Sequence, residues 1–308
     1  MSDKHFFCVD ARKYLDTADF QLYRPASINS PKSNSVMFIT EEMISLSHVF
    51  DTIDECLIFW PLGLEIPEQL KSKHVVITCK NPHLEYSRFF SDNQIIYLPK
   101  PEKVTEINGA LIADTAVIGK NTVIFPYAYI GGEVVIGDNC YIGSGVKIVS
   151  GANIGNNVII RENTVIGADS LTTDRDEYGQ PITMPQFGGV QIEDDVQIGA
   201  NSIIARGAID NTHIKKGSKI SNLVVISHNV CIGEYTFIAA GTVMLGSSSA
   251  GDKTLISINC IVNNRAKIGN NCILGMGSIA LNSIPEGKVA YGSPAMVARD
   301  LEHNWRIK

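Results

Sequence analysis

The sequence predicts a mainly β protein whose largest part is a left-handed parallel β-helix, and three features lead to this prediction. A large aliphatic residue recurs at every sixth position over long stretches of the chain. A small residue stands two positions before it, and a glycine often follows it directly. Neither the 3.6-residue period of an α-helix nor the simple alternation of a strand produces this pattern. A short, constant period is instead typical of stacked repeats.

The large residues define the coils of this helix. Isoleucine occupies every sixth position from Ile112 to Ile166 and again from Ile192 to Ile204. Two steps of five residues are then expected, to Ile209 and Ile214, before the six-residue register continues to Ala280. Residues two apart in a strand face the same side, so each repeat turns one large and one small residue inward. Three repeats complete a triangular coil, and stacked coils place each large residue on the next.

Three of the cysteines stand at inward positions of the repeat. Cys140, Cys260 and Cys272 occupy the small inward position, which predicts packing rather than metal or redox chemistry. Cys231 lies outside that series, and its role stays open.

The 7 cysteines have no disulfide-like spacing, and neither a secretory signal nor a long apolar run is present. These features predict a cytoplasmic protein without integral membrane contact, and the net charge of -6 gives no reason to expect nucleic acid as a partner.

The repeat also predicts the domain organisation. Residues 1–105 lack it and predict a small α/β domain, with strands at 36–40, 56–60, 75–79 and 95–98 and helices at 41–46 and 83–90. Residues 106–284 form the β-helix, from which the polar segment 168–189 is extruded at a corner. A loop of this length is usually functional, although it could also brace a neighbouring subunit. Residues 285–308 form a short C-terminal tail that is expected to end in a short helix.

Two histidines, His213 and His228, lie within the coils. His228 stands two residues past the inward Ile226 and therefore at or beside a corner. An amine that attacks a thioester must lose a proton, and histidine, with a pKa near neutrality, is a suitable base. From the residues alone, a surface or interface histidine without chemistry is the favoured interpretation for both His228 and His213, although a catalytic base stays open for His228.

Two segments of the β-helix resemble the lipid A acyltransferases that N-acylate UDP-3-O-acylglucosamine. They are residues 185–212 and the run Ile226-Ser227-His228-Asn229, which continues to Gly233. Residues 80–86 are similar to the nucleotide-facing domain of that family, and residues 284–299 resemble the last coil of sugar acetyltransferases. The resemblance implies that His228 is the catalytic base and that the backbone amide of Gly246 stabilises the oxyanion.

The remaining site residues also come from the resemblance. Arg265 replaces a second histidine of the family, and either an ion pair at a trimer interface or a contact to coenzyme A is implied for it. Ser293, Pro294 and Ala295 are expected to contact coenzyme A. Contact with the acceptor, the nucleotide-linked amino sugar, is expected from Asn229, Phe38, Asn81 and Tyr86. Asn229 could instead shape the corner, and residues 80–86 could simply begin a helix. Ser221 replaces an aspartate of the family, and the tail is shorter than the extension that docks acyl carrier protein there.

These departures favour an N-acyltransferase that moves a short acyl group, such as acetyl, from a coenzyme A thioester to a nucleotide-linked amino sugar for surface polysaccharide (O-antigen) synthesis. The first alternative is a true lipid A enzyme that uses a hydroxyacyl carrier protein. A metal hydratase of the γ-carbonic anhydrase type would need three histidine ligands, and a non-catalytic scaffold is the last alternative. A homotrimer with three equivalent sites is expected, with no metal needed for the chemistry.

Overall fold

The computed structural model describes residues 4–96, 102–149 and 151–300, which separate into two compact units. Within these residues, the N-terminal unit consists of 4–96, 171–187 and 208–210. The β-helix unit consists of 102–149, 151–170, 188–207 and 211–300. The segments 171–187 and 208–210 follow the first coils in sequence, but they belong to the N-terminal unit. Among the described residues, no helix is both long and apolar enough to cross a membrane.

The β-helix unit is a left-handed parallel β-helix with three flat faces. Face A comprises Val104–Ile107, Ala110–Ala113, Tyr129–Ile130, Lys147–Ile148, Val165–Ala168, Ile203–Ala205, Val225–Ile226, Val243–Met244, Ile261–Val262 and Ile279–Ala280. Face B comprises Val117–Ile118, Val135–Ile136, Ala152–Ile154, Val190–Ile192, Thr212–Ile214, Cys231–Ile232, Ser249–Ala250 and Lys267–Ile268. Face C comprises Val123–Ile124, Tyr141–Ile142, Ile159–Ile160, Gln197–Ile198, Lys219–Ile220, Phe237–Ile238, Leu255–Ile256 and Ile273–Leu274, and a hairpin described below extends it.

The predicted stacking of large residues is confirmed by the strand register. Ile130 pairs with Ile148, and Ile142 pairs with Ile160, in parallel strands of neighbouring coils. These inward residues form one continuous buried cluster with the small residues, including Cys140, Cys260 and Cys272. All three thiols are buried, as the sequence predicts, and burial raises the pKa of each.

Polar residues at inward and corner positions close the hydrogen bonds of each coil. The buried hydroxyl of Thr236 donates to the carbonyl of Gly251 at 2.5 Å and accepts from the amide of Thr254 at 3.1 Å. At corners, the side-chain oxygen of Asn156 accepts from the amide of Asp138 one coil away at 2.8 Å. Buried polar groups need such partners, and short polar side chains at corners supply them.

The register differs from the prediction between Ile204 and Ile214. Ile204 lies on face A and Ile214 on the next strand of face B, so a single step joins them. Ile209 is not an inward residue of the coil, because residues 208–210 loop out and the Ile209 side chain packs in the N-terminal unit. The expected pair of five-residue steps was therefore wrong. A spacing of isoleucines cannot distinguish a short repeat from an insertion that happens to carry one.

The long insertion leaves the β-helix after Ala168, between a face A strand and a face B strand. It carries its own antiparallel hairpin, with strands Thr173–Arg175 and Pro181–Thr183, which the sequence did not reveal.

The N-terminal unit is built on a four-stranded parallel sheet. Strands β1 (Val9–Asp10) and β2 (Gln21–Leu22) form a separate antiparallel pair. The sheet has the order β3 (Arg24–Pro25), β4 (Ser35–Phe38), β5 (Leu57–Pro61) and β6 (Val75–Cys79). Helices α1 (Glu68–Lys73) and α2 (Pro82–Asp92) and two 3-10 helices, Ala11–Lys13 and Glu41–Thr52, complete it. The strand expected at 95–98 lies partly outside the described residues, and residues 95 and 96 are not in a strand.

The C-terminal tail differs from the prediction. Residues Lys288–Gly292 and Ala295–Asp300 form an antiparallel hairpin on face C, in place of the expected short helix. Pairing of Ile273 with Val289 continues the parallel ladder into the tail, so the tail adds a further strand to the β-helix. Residues 301–308 lie outside the described part of the chain.

Candidate active site

The candidate site is built on one corner of the β-helix, where face A turns into face B (the A–B corner). Each coil contributes the residues that follow its inward aliphatic side chain. Ile226 therefore presents His228 and Asn229, and Met244 of the next coil presents Gly246. Val262 of the coil after that presents Arg265. The fold brings together these four of the predicted site residues.

The ring of His228 is half-buried and held by its neighbour. Its Nδ1 lies 3.0 Å from the side-chain oxygen of Asn229. An amide oxygen can only accept, so Nδ1 donates this hydrogen bond, and in the neutral ring the lone pair is then on Nε2. Asn229 has a positive φ of 58°, a conformation that asparagine tolerates better than most residues. Its amide donates to the hydroxyl of Thr212 at 2.9 Å, which fixes the corner from the preceding coil.

Gly246 lies directly against the histidine ring. A β-carbon at this position would be 2.3 Å from Nε2 and 2.6 Å from Cε1 of His228. The carbonyl of Gly246 accepts from the amide of Arg265 at 3.1 Å. Its own N–H donates to no other group among the described residues. A buried N–H that is left available beside a histidine can stabilise a developing oxyanion.

Ser170 also lies at this corner, which the sequence did not indicate. At the corner that follows face B, the amide two residues past an inward aliphatic is capped by a side chain of the next coil, as Asp138 is capped by Asn156. Gly246 has no side chain to cap the amide of His228, and the hydroxyl of Ser170 lies 3.4 Å from it instead. Ser170 stands near the start of the long insertion, and only the three-dimensional path of that insertion returns it to His228.

The second coil histidine, His213, lies on face B and not at the A–B corner. Its Nε2 is 2.7 Å from a carboxylate oxygen of Glu193, and its strand pairs with that of Cys231. Burial raises the pKa of the Cys231 thiol. Among the described residues, no group of three or more His, Cys, Asp or Glu side chains is arranged to hold a metal ion.

The other predicted donor contacts are separate from the A–B corner. Ser293 and Pro294 are exposed at the turn of the C-terminal hairpin, and Ala295 is half-buried where its second strand begins. The amide of Gly292, just before this turn, donates to the hydroxyl of Ser278 at 3.1 Å. These residues extend face C, and their contact with coenzyme A stays a prediction. Arg265 is exposed at the A–B corner, with a positive φ of 61°.

The predicted acceptor residues of the N-terminal unit have different surroundings. Phe38 is half-buried, with its ring 5.0 Å from His83 and 4.9 Å from Tyr86. Asn81 is exposed and caps helix α2, because its side-chain oxygen accepts from the amide of Leu84 at 3.2 Å. Tyr86 is 0% exposed, and burial raises the pKa of its phenol well above the usual value. A ring enclosed in this way has no surface for a nucleotide, so the expected contact of Tyr86 does not fit this structure.

Comparison with known proteins supports the β-helix assignment. The family model of the bacterial transferase hexapeptide (six repeats) matches residues 115–150 and 135–168, and the hexapeptide repeat of succinyl-transferase matches residues 189–228. Among solved structures, a UDP-N-acetylglucosamine acyltransferase from Bacteroides fragilis is 25% identical with a TM-score of 0.57, covering 64% of this chain and 74% of that chain. The enzyme from Francisella novicida is 22% identical with a TM-score of 0.57, covering 63% and 70% respectively, which shows the shared fold.

Curated relatives match over a larger part of the chain. The UDP-3-O-acylglucosamine N-acyltransferase of Helicobacter hepaticus is 34% identical over 286 residues, covering 90% of this chain and 86% of that relative. The enzyme of the same name from Coxiella burnetii is 39% identical over 143 residues, which is 46% of this chain. That match spans only 41% of the relative's length.

Proposed function

Because the chain belongs to the family of UDP-3-O-acylglucosamine N-acyltransferases, we propose that it transfers an acyl group from a thioester to the amine of a UDP-linked amino sugar. The observation that carries this proposal is the arrangement of His228 between Asn229 and Gly246. A base with a free Nε2, fixed by one neighbour and placed against a backbone N–H, has the parts that acyl transfer needs.

The reaction follows from these parts. The amine nitrogen of the acceptor attacks the thioester carbonyl carbon and gives its proton to Nε2 of His228. The N–H of Gly246 donates to the oxyanion of the tetrahedral intermediate. When the intermediate collapses, the C–S bond breaks and the leaving thiolate takes the proton from the imidazolium. Asn229 keeps Nδ1 protonated throughout, so the ring returns to its starting tautomer.

The acceptor and donor differ between the two leading alternatives. The similarity to the Helicobacter hepaticus enzyme favours the lipid A alternative, with UDP-3-O-acylglucosamine as acceptor, over a short-chain transferase for O-antigen sugars. We therefore place the 3-O-acylated UDP-glucosamine first among the acceptors. The donor is a thioester of either acyl carrier protein or coenzyme A, and both supply the same carbonyl carbon to the same base. We also propose that the protein acts in the cytoplasm, where both thioesters are made.

The test is thiol release measured with UDP-3-O-acylglucosamine and with other UDP-amino sugars, each against hydroxyacyl carrier protein and acetyl-coenzyme A. His228→Ala should lower kcat by about 10²–10⁴-fold, the usual contribution of a general base, and leave KM nearly unchanged. His213→Ala is the matched control, because it removes the other coil histidine from face B. Unchanged turnover in His228→Ala would disprove the mechanism, and turnover with only one donor would decide between the thioesters.

A further inference from the structure

A buried cation, Arg206, lies at the A–B corner of the coil that precedes His228. Arg206 is only 4% exposed, and among the described residues of the β-helix unit no other charged side chain is buried. A guanidinium in such a place costs free energy unless hydrogen bonds compensate for the loss of water. We propose that Arg206 is a positioning residue that holds His228 in the tautomer needed for acyl transfer. This role rests on the function proposed above.

Arg206 joins the two ends of the long insertion. Its backbone amide donates to the carbonyl of Ala168, where the insertion leaves the β-helix, at 2.9 Å. Its Nε donates to the carbonyl of Gly188, where the insertion returns, at 2.8 Å. A β-carbon on Gly151, at the same corner two coils earlier, would be 3.6 Å from a terminal nitrogen of the guanidinium. The side chain of Arg206 therefore spans the level from which the insertion is extruded and fixes the position of Gly188.

Gly189, the residue after this contact, connects it to the next strand of face B. The carbonyl of Gly189 accepts from the amide of Gly207 at 3.0 Å and from that of Thr212 at 3.1 Å. Its own amide donates to the side-chain oxygen of Asn211 at 2.8 Å. These bonds close the neck of the short loop between Gly207 and Asn211, so the position of Thr212 depends on that of Gly189.

Thr212 in turn positions the partner of the base. Its hydroxyl accepts from the amide of Asn229 at 2.9 Å, and the side-chain oxygen of Asn229 lies 3.0 Å from Nδ1 of His228. A shift of Thr212 displaces that oxygen, and a neutral ring whose Nδ1 proton loses its acceptor can carry the proton on Nε2 instead. Nε2 then cannot take a proton from the amine. The contacts that begin at Arg206 therefore end at the tautomer of His228.

The test compares two side chains at position 206 that differ in one donor. Arg206→Gln keeps an N–H donor at the same number of bonds from Cα as Nε, whereas Arg206→Met places a methyl group there. Nitrogen-15 spectra of histidine-labelled protein at pH 8.5, well above the reference pKa of about 6.5 for histidine, report which ring nitrogen carries the proton. The signals of His228 are those lost in His228→Ala. We expect a proton on Nδ1 in the wild type and in Arg206→Gln, and a mixture of both tautomers in Arg206→Met.

Acyl-transfer kinetics give a second measurement. Arg206→Met should lower kcat by about 10- to 100-fold with KM nearly unchanged, because a misplaced base affects the transition state and not substrate binding. Arg206→Gln should stay within about fivefold of the wild-type kcat, since it keeps the hydrogen bond without the charge. The matched control is Arg161→Met, which removes an exposed arginine that lies over Tyr141 at another corner of the β-helix, and it should change neither the tautomer nor kcat.

A second substitution tests the path of contacts. Valine occupies the position of Thr212 in the two neighbouring coils, as Val190 and Val230, so Thr212→Val should fold. It should give the same mixture of tautomers as Arg206→Met, and the two combined should lower kcat no further than the larger single effect. If Arg206→Met does not fold, Arg206→Leu, which also lacks a donor, takes its place.

Three results would overturn the positioning role of Arg206. They are an Nδ1 proton retained in Arg206→Met, a mixture of tautomers in Arg206→Gln, and additive effects of Arg206→Met and Thr212→Val on kcat. The spectra need no substrate, so they decide this role whichever acceptor the enzyme uses. A mixture of tautomers with unchanged kcat would instead contradict the function of His228 as the base.

Discussion

Gly246 determines where the His228 ring can lie. Its φ is not in the left-handed region, so alanine strains no backbone there and acts only through its added methyl group. That methyl would lie 2.3 Å from Nε2 of His228. Gly246→Ala should therefore move the base and lower kcat by roughly 10²-fold, because misplacement of a reacting group by about 1 Å has effects of this size.

The matched control for this substitution is Asn264→Ala, at the equivalent corner position one coil further on. It should keep wild-type kcat, and both variants should unfold within a few degrees of the wild type. Steady-state kinetics and differential scanning calorimetry measure the two effects. A fully active Gly246→Ala enzyme would show that the His228 ring does not need this position for turnover.

His74 links the stability of the N-terminal unit to pH. It is buried, its Nδ1 accepts from the amide of Cys56 at 3.2 Å, and its Nε2 faces the carbonyl of Phe50 at 3.2 Å. Burial lowers the pKa of the ring below its usual value of about 6.5. The unfolded chain therefore binds a proton at a higher pH than the folded protein does. The contribution of the neutral His74 ring to the free energy of unfolding is complete above about pH 6.5. It is lost as the pH falls from there toward the pKa of the ring in the folded protein.

The measurement is urea unfolding of a Trp305→Phe variant at pH 7.5, 6.5 and 5.5, followed by the fluorescence of the buried Trp60. The free energy of unfolding should fall over this range. His74→Asn should be less stable at pH 7.5, because it loses one of the two hydrogen bonds, and should show a flatter dependence on pH. His48→Asn, at an exposed histidine of the same unit, should keep the wild-type slope. Equal slopes in wild type and His74→Asn would contradict this explanation.

At the scale of elements, helix α2 fixes the hairpin of the long insertion. His83 contacts the carboxylate of Asp174, and Arg88 contacts that of Glu177, all within the N-terminal unit. Arg88 also pairs with Glu85 at 2.7 Å on the helix itself. Two side-chain contacts at separate points hold the hairpin in one orientation.

The double variant Asp174→Asn with Glu177→Gln should release the hairpin from α2. We expect amide hydrogen exchange over residues 173–183 to become at least about tenfold faster, which corresponds to a loss of about 1.4 kcal/mol of local stability. Tyr178→Ala, at the exposed tip of the same hairpin, should leave exchange in its strands unchanged. Unchanged exchange in the double variant would mean that backbone pairing alone holds the hairpin.

Among the elements, the faces of the β-helix could be predicted from the sequence, and the C-terminal hairpin could not. The six-residue period predicts the faces of the β-helix, because each inward position must stack on the next coil. It misplaces Ile209, since an insertion can carry an isoleucine at a plausible spacing. It also misses the C-terminal hairpin, in which strand Lys288–Gly292 continues face C without the repeat.

The candidate site was predictable in part for a similar reason. The period places His228, Asn229, Gly246 and Arg265 at one corner of stacked coils, whereas the roles expected of them come only from the family resemblance. Ser170 was not predictable, because it reaches His228 through the path of an insertion. The burial of Tyr86 depends on packing between segments that are distant in sequence.

At the scale of the whole molecule, we predict a homotrimer, in which outward residues of the coils become buried between subunits. Large apolar side chains such as Val117, Val135 and Phe237 are exposed on the faces of the single chain. Val117 and Val135 stack on face B and Phe237 lies on face C, and exposed apolar residues of this kind indicate an interface. Sedimentation equilibrium should give three times the chain mass of 33.5 kDa.

Arg265 tests how this assembly relates to the active site, because it is exposed at the A–B corner two coils beyond His228. If it forms an ion pair between subunits, Arg265→Ala should shift sedimentation toward the monomer at low protein concentration, and turnover should fall with trimer content. If it binds the donor, Arg265→Ala should remain trimeric and raise KM for the acyl donor by about tenfold, the effect of losing one charge-assisted contact. Lys267→Ala, at an exposed residue of the next face B strand, is the control and should change neither property. A trimeric Arg265→Ala enzyme with unchanged KM would exclude both roles, and the A–B corner would then bind its donor without a cationic side chain from this coil.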